Sequence, residues 1–134
     1  MPTYFDTSAI VPLLLVEPHS SVAREAWEAS TGDCFAWRWL KVETEAALVR
    51  RKADAGVWSA WDRLESSLNW ITLPDSEIEA VCRFNRNFGL RAADAGHLFI
   101  ADRLSRSLHS LYLASLDKEM CEAAQELQLP LALG

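Results

Sequence analysis

A chain of 134 residues, half of them hydrophobic and about a quarter charged, is long enough for one packed domain and too short for two. No apolar stretch approaches the ~20 residues that cross a bilayer, and Asp6 interrupts the N-terminal apolar run before a signal peptide can form, so neither a membrane nor an exported protein is expected, and the expected location is cytoplasmic. A net charge of −6 argues against a simple cationic nucleic-acid binder. Carboxylates gathered around cations would, however, make a chain acidic and reverse its local field. Basic residues also cluster, at Arg50-Arg51-Lys52 and at Arg83, Arg86 and Arg91.

The first strand is expected at 3–6, where Tyr4 and Phe5 run into Asp6. A short apolar helix from Ser8 to Leu15 follows, with Pro12 tolerable only in its first turn. After Glu17-Pro18-His19-Ser20 a second helix runs to about Ala29, and Gly32-Asp33 turns the chain into a second strand at Cys34-Phe35-Ala36-Trp37. From Trp39 to Ala55 the period is helical, with Leu40, Glu43, Ala47 and Leu48 on one face and Gly56 as a C-terminal stop. Val57, Trp58, Trp61, Leu64 and Leu68 stripe the next helix. Two tryptophans three apart, among six in so short a chain, suggest that part of this stripe is an interface.

Trp70-Ile71-Thr72-Leu73 reads as a strand ended by Pro74. Ser76 and Glu79 have the spacing of a capping box for a helix that Gly89 ends. Ala92 to about Ser105 is a helix rich in small residues that places Asp94, His97, Leu98 and Ala101 at i, i+3, i+4 and i+7. Leu111–Ala114 is a strand leading to Ser115-Leu116-Asp117, where Asp117 can cap the helix Lys118–Leu127, and 130–133 reads as a last short strand. Strands alternating with helices imply a parallel sheet covered on both faces. Cys34, Cys82 and Cys121 are isolated and odd in number, so they are expected as reduced, buried small hydrophobes.

Four acids fall on apolar faces or at element ends. Asp6 and Asp117 close apolar strands, Glu43 sits among Leu40, Ala47 and Leu48, and Asp94 opens the small-residue helix. A carboxylate facing a core is costly unless paired or metal-bound, and no Lys or Arg shares these faces at pairing distance. Oxygen donors of this kind suit Mg²⁺, which takes one or two carboxylates plus waters and phosphate oxygens. Each residue also has a plainer role. Asp6, Asp94 and Asp117 are good helix caps, Ser8 and Ser115 likewise, Glu45 reads as a solvated acid, and His97 on an apolar face reads as a packing residue. Their joint occurrence at one sheet edge favours a site.

The strings D-T-S-A after the first strand, E-T-E-A-A-L at 43–48, L-R-A-A-D-A-G-H-L at 90–98 and S-L-D-K-E-M-C-E-A-A at 115–124 come in order along nearly the whole chain. Together they resemble the motifs of PIN-domain proteins of the VapC toxin type. The resemblance implies a three-layer α/β/α fold with a central parallel sheet and a Mg²⁺- or Mn²⁺-dependent endoribonuclease. It further implies RNA as substrate, a cognate VapB-like antitoxin that occupies the active-site groove, and a homodimer. Carried over by position, Asp6, Glu43, Asp94 and Asp117 would form the acidic metal site, with Ser8 and Ser115 orienting carboxylates or metal-bound water. Gly96 departs from the bulky aliphatic usual in that family and implies close packing or a kink beside Asp94.

Two other readings remain in view. A non-catalytic binding module on the same scaffold would be favoured by loss of one acid, and none is lost. A haloacid-dehalogenase-like phosphatase needs a second acid two residues after the first, where this chain has Ser8.

Overall fold

Strand residues in this chain alternate between two destinations, and the alternation builds the layers. A computed structural model describes residues 1–133, in which four short strands form a parallel sheet. They are β1 (Thr3–Phe5), β2 (Cys34–Trp37), β3 (Asn69–Ile71) and β4 (Tyr112–Ala114), in the order β3-β2-β1-β4. Phe5, Cys34, Ala36, Trp70 and Ala114 face one apolar cluster, which also holds Ile10, Leu40, Leu48 and Trp61. Tyr4, Phe35, Trp37, Ile71 and Leu113 face the other, with Leu98, Ala101, Met120 and Ala124. The period of 2 along each strand thus sends successive side chains to opposite cores.

The first cluster is closed by α1 (Thr7–Leu14), α2 (Ser20–Ser30), α3 (Trp39–Arg50) and α4 (Ala55–Ser67), the second by α5 (Ile78–Asn85), α6 (Ala92–Ser107) and α7 (Lys118–Glu126). This is the three-layer α/β/α arrangement with a parallel centre. The chain winds outward from β1 through β2 to β3, then returns to place β4 on the other side of β1. The winding reverses between β1 and β4, and in open α/β sheets ligands bind beyond the carboxyl ends of the strands at that reversal. Asp6 and Ser115 are the residues that leave the sheet there, since Phe5 is paired with Ala114.

Several boundaries differ from the sequence pattern. The α3 helix ends at Arg50 on Lys52 in the left-handed conformation (φ 51°), with Ala53 N–H bonded to Leu48 C=O. Gly56 therefore stops nothing and lies in the first turn of α4, whose cap is Asp54 accepting from Val57 N–H. Ser76 does not cap α5, because a 3₁₀ turn at Asp75–Glu77 takes its place. Pro12 sits beyond the first turn of α1, where its ring deletes the bond to Ser8 C=O, and the helix ends two residues later at Leu14. The expected last strand reduces to one bridge, Leu113 to Leu131. The α5 helix ends at Asn85 rather than at Gly89, which with φ +65° closes the turn that follows, its N–H bonded to Asn85 C=O. Of the three cysteines expected to be buried, Cys34 is, Cys121 is only half-buried and Cys82 is exposed.

The tryptophan stripe anchors the core through Trp61, while Val57, Trp58 and Leu64 keep part of their surface exposed. Trp61 is fully buried, and Val57, Trp58 and Leu64 pack against the same cluster. A three-layer fold buries two cores rather than one, which is how a small chain houses so many indoles. Among the six, Trp39 alone is exposed, at 47%. It lies on α3, whose outward positions Val42 and Val49 are also apolar.

Gly96 packs closely and introduces no kink, since α6 runs unbroken through it. A Cβ there would lie 2.5 Å from Trp37 Cζ3 and 2.6 Å from Cη2. Gly96→Ala gains ~1 kcal/mol of helix propensity against an overpacking cost of about 1–3 kcal/mol. Because the neighbour is a wedged indole, the cost wins, and urea unfolding of Gly96→Ala is expected at a lower midpoint than wild type. An unchanged or raised midpoint would mean that the indole yields freely.

Candidate active site

Asp6 is placed by backbone pairing before its side chain does anything. Its N–H donates to Ala114 C=O (3.2 Å), its extended backbone ends β1, and its C=O accepts from Ala9 N–H at the start of α1. The side chain is 2% exposed. Ser8 Oγ donates to Oδ1 (2.6 Å) and Ser115 Oγ to Oδ2 (2.5 Å), so both carboxylate oxygens are held. Each serine is itself fixed by a backbone donor from the β4 side, Leu116 N–H to Ser8 Oγ (2.8 Å) and Asp117 N–H to Ser115 Oγ (3.1 Å). Burial pushes the Asp6 carboxyl above its ordinary value, and His97, the two serines and the Ala9 N–H offset part of the push.

Glu43 reaches the same edge from α3. Its Oε1 accepts from Thr7 Oγ1 and meets His97 Nε2, both at 2.8 Å. His97 Nδ1 in turn faces Tyr4 Oη at 2.8 Å. With Glu43 ionised, Nε2–H is the donor to Oε1 and the tyrosine hydroxyl is the partner of Nδ1, so both ring nitrogens are engaged. Burial raises the Glu43 carboxyl, but the His97 contact and the Thr7 hydroxyl outweigh it and leave the group below its ordinary value. His97 is 1% exposed, with Trp37 and Tyr4 edge-on to its ring. It is therefore more than the packing residue expected from its apolar face.

Asp117 caps α7, its Oδ1 accepting from Met120 N–H (2.9 Å). Asp94 lies half-buried in the first turn of α6. Burial first, then the charges of Asp117, Asp6 and Glu43, raise its carboxyl; His97 alone works against them, and no hydrogen bond helps. All four acids thus share one electrostatic neighbourhood. Glu45 is outside it, tied to Lys41 Nζ (2.6 Å) and Trp61 Nε1 (3.0 Å). That acid is a structural anchor rather than a merely solvated one. Thr7 and Tyr4 are the site neighbours that the pattern did not single out, and His97, read from the pattern as packing, is a third, its i+3 spacing from Asp94 having put both on one side of the helix.

Among the described residues, no three His, Cys, Asp or Glu side chains close into a cage for an ion. The donor chemistry nonetheless suits a hard divalent cation. Mg²⁺ takes few carboxylates and keeps its waters, and a lone carboxylate among like charges, as Asp94 is, gains from a nearby cation. Asp6, Glu43, Asp94 and Asp117 are the residues that could hold one.

A family model for the PIN domain matches residues 3–128. A comparison with curated proteins returned no match. Among solved structures, Mycobacterium tuberculosis VapC20, described as a sarcin-ricin loop cleaving toxin, is similar at TM-score 0.70 and 17% identity, over 90% of this chain and 94% of that one. PAE2754 from Pyrobaculum aerophilum is similar at TM-score 0.64 and 20% identity, over 91% and 85%. At such identities these likenesses speak to the fold.

Two substitutions test the electrostatics of the pocket. In chelator, Asp94→Asn is expected to melt above wild type, because it removes a half-buried charge that its neighbours repel. Ser115→Ala is expected to lose about 1–3 kcal/mol, since it strips a donor from the buried Asp6 carboxylate. Thermal melts of the two in parallel check the signs, and an Asp94→Asn variant that melts lower would contradict the crowding of the acids.

Proposed function

The chain belongs to the PIN-domain family, and from that premise we propose that it is a Mg²⁺- or Mn²⁺-dependent endoribonuclease, the toxin of a toxin–antitoxin pair acting on cytoplasmic RNA. The observation that carries the reading is the Asp94 carboxylate, half-buried and without a hydrogen bond, set among Asp6, Asp117 and Glu43 at the reversal point of the sheet. A divalent cation held by Asp6, Glu43, Asp94 and Asp117 would supply charge neutralisation at a scissile phosphate and lower the pKa of a water for hydrolysis. The chain's own groups do the positioning. Ser8 and Ser115 hold both oxygens of Asp6, and Thr7 and His97 hold one oxygen of Glu43. Asp117 is fixed as a cap with only Oδ1 engaged in a hydrogen bond.

RNA read in single-stranded loops would present its bases for stacking on aromatic side chains, for which Trp39 is exposed. A VapB-like antitoxin and a second copy of the chain complete the proposed assembly, and the exposed Trp39, Val42 and Val49 of α3 are apolar surface available to either.

Two measurements test the proposal together. Wild type is expected to cleave RNA with Mn²⁺ and to stop on chelation, and Asp6→Asn to lose cleavage while keeping its circular dichroism. Melting temperature should rise with Mn²⁺ at constant ionic strength, as mass action requires for a ligand of the native state, and rise much less in Asp117→Asn. Flat, identical melts for both proteins, or cleavage by Asp6→Asn at the wild-type rate, would refute the reading.

A further inference from the structure

Glu43 is the one acid of the four that shares an oxygen with a buried imidazole. Its Oε1 receives Thr7 Oγ1 from the start of α1 and His97 Nε2 from α6, two donors on one oxygen. An ionised carboxylate has about two lone-pair sites per oxygen, so Oε1 is saturated while Oε2 makes no hydrogen bond. The imidazole has no freedom of its own. Tyr4, on β1 and fully buried, meets Nδ1 with its hydroxyl, and the Trp37 ring stands edge-on at 5.2 Å between centroids. Trp37 in turn lies against Gly96, where even a methyl group would collide with it. Strand β1, strand β2 and helix α6 therefore converge on the orientation of one ring, and that ring holds one carboxylate oxygen.

We infer that His97 is a positioning residue that makes Glu43 a one-oxygen donor, holding Oε1 so that Oε2 alone is offered to a divalent cation. The inference rests on the metal-nuclease reading and deepens it, because it assigns how one acid is presented and by what. Burial alone requires a partner at each ring nitrogen, but it does not require that the partner at Nε2 be the Glu43 carboxylate, already met by Thr7 Oγ1 at the same oxygen. Partners of this kind, which fix a ligand without touching the metal, typically change metal affinity by about 10- to 100-fold when removed.

The decisive comparison is His97→Leu against His97→Gln, read by direct Mn²⁺ titration of the folded proteins and by the split between kcat and KM for RNA cleavage. Leucine fills the apolar site but donates nothing, whereas glutamine can place an amide N–H near the position of Nε2. Positioning predicts Mn²⁺ binding weakened about 10- to 100-fold in His97→Leu and largely restored in His97→Gln, with the loss in kcat rather than KM. Packing alone predicts the reverse order, with His97→Leu close to wild type. Should His97→Leu fail to fold, His97→Asn keeps a polar group beside Tyr4 but is too short to reach Oε1, and is expected to weaken Mn²⁺ binding about 10- to 100-fold at unchanged KM. Wild-type Mn²⁺ affinity in a folded His97→Leu, or in His97→Asn where leucine does not fold, overturns the inference while leaving the nuclease reading intact. A wild-type protein that binds no Mn²⁺ overturns both.

Discussion

Asp6 carries the constraint on which the rest of this edge of the molecule depends. A carboxylate almost completely removed from water must have both oxygens satisfied or become too costly to keep charged. Here the two donors come from hydroxyls more than a hundred positions apart in sequence, Ser8 just after β1 and Ser115 just after β4. The arrangement requires β1 and β4 to be neighbours in register, with Phe5 opposite Ala114. It also requires Leu116 and Asp117 to fold back so that their N–H groups hold the serines. The buried acid and the sheet order thus depend on each other.

A second set of contacts runs from the opposite core into the same edge. Gly96 exists so that Trp37 can lie against α6, Trp37 and Tyr4 confine His97, and His97 meets Glu43. Glu43 stands on α3, which packs on the other side of the sheet from α6. The Glu43–His97 bond therefore links the two outer layers around the end of the sheet. Core packing and carboxylate geometry are coupled there, so that a change as small as one methyl on α6 bears on both.

The acids differ in how far they are tied down, and the difference orders their roles. Asp6 has both oxygens engaged by side-chain hydroxyls, Glu43 has one oxygen engaged by side-chain donors, Asp117 has one engaged by the Met120 N–H, and Asp94 has none engaged among the described residues. Fixed carboxylates surround a free one whose charge is unrelieved. The four carboxylates are thus held to very different degrees within one electrostatic neighbourhood, and the least held is the one its neighbours repel most.

Much of this was legible from the sequence by itself. Alternating strand residues, helical periods and the Asp6, Asp94 and Asp117 positions at element ends follow from local preferences that act over a few residues, and so does the Asp117 cap. The order of the four motif strings carried the family resemblance. Elements failed where two local signals competed, as at Gly56, overruled by Asp54 as cap and by Lys52 in the left-handed turn, and at Trp61, whose apolar stripe could face a partner or a core. What only the tertiary structure decided were the long-range pairings: Ser115 with Asp6, Thr7 and His97 with Glu43, Trp37 with Gly96. A hydrogen bond between residues 54 positions apart leaves no periodicity in either segment. Its partners are chosen by which helices the sheet brings to the same edge, and that choice is made by the packing of the whole chain.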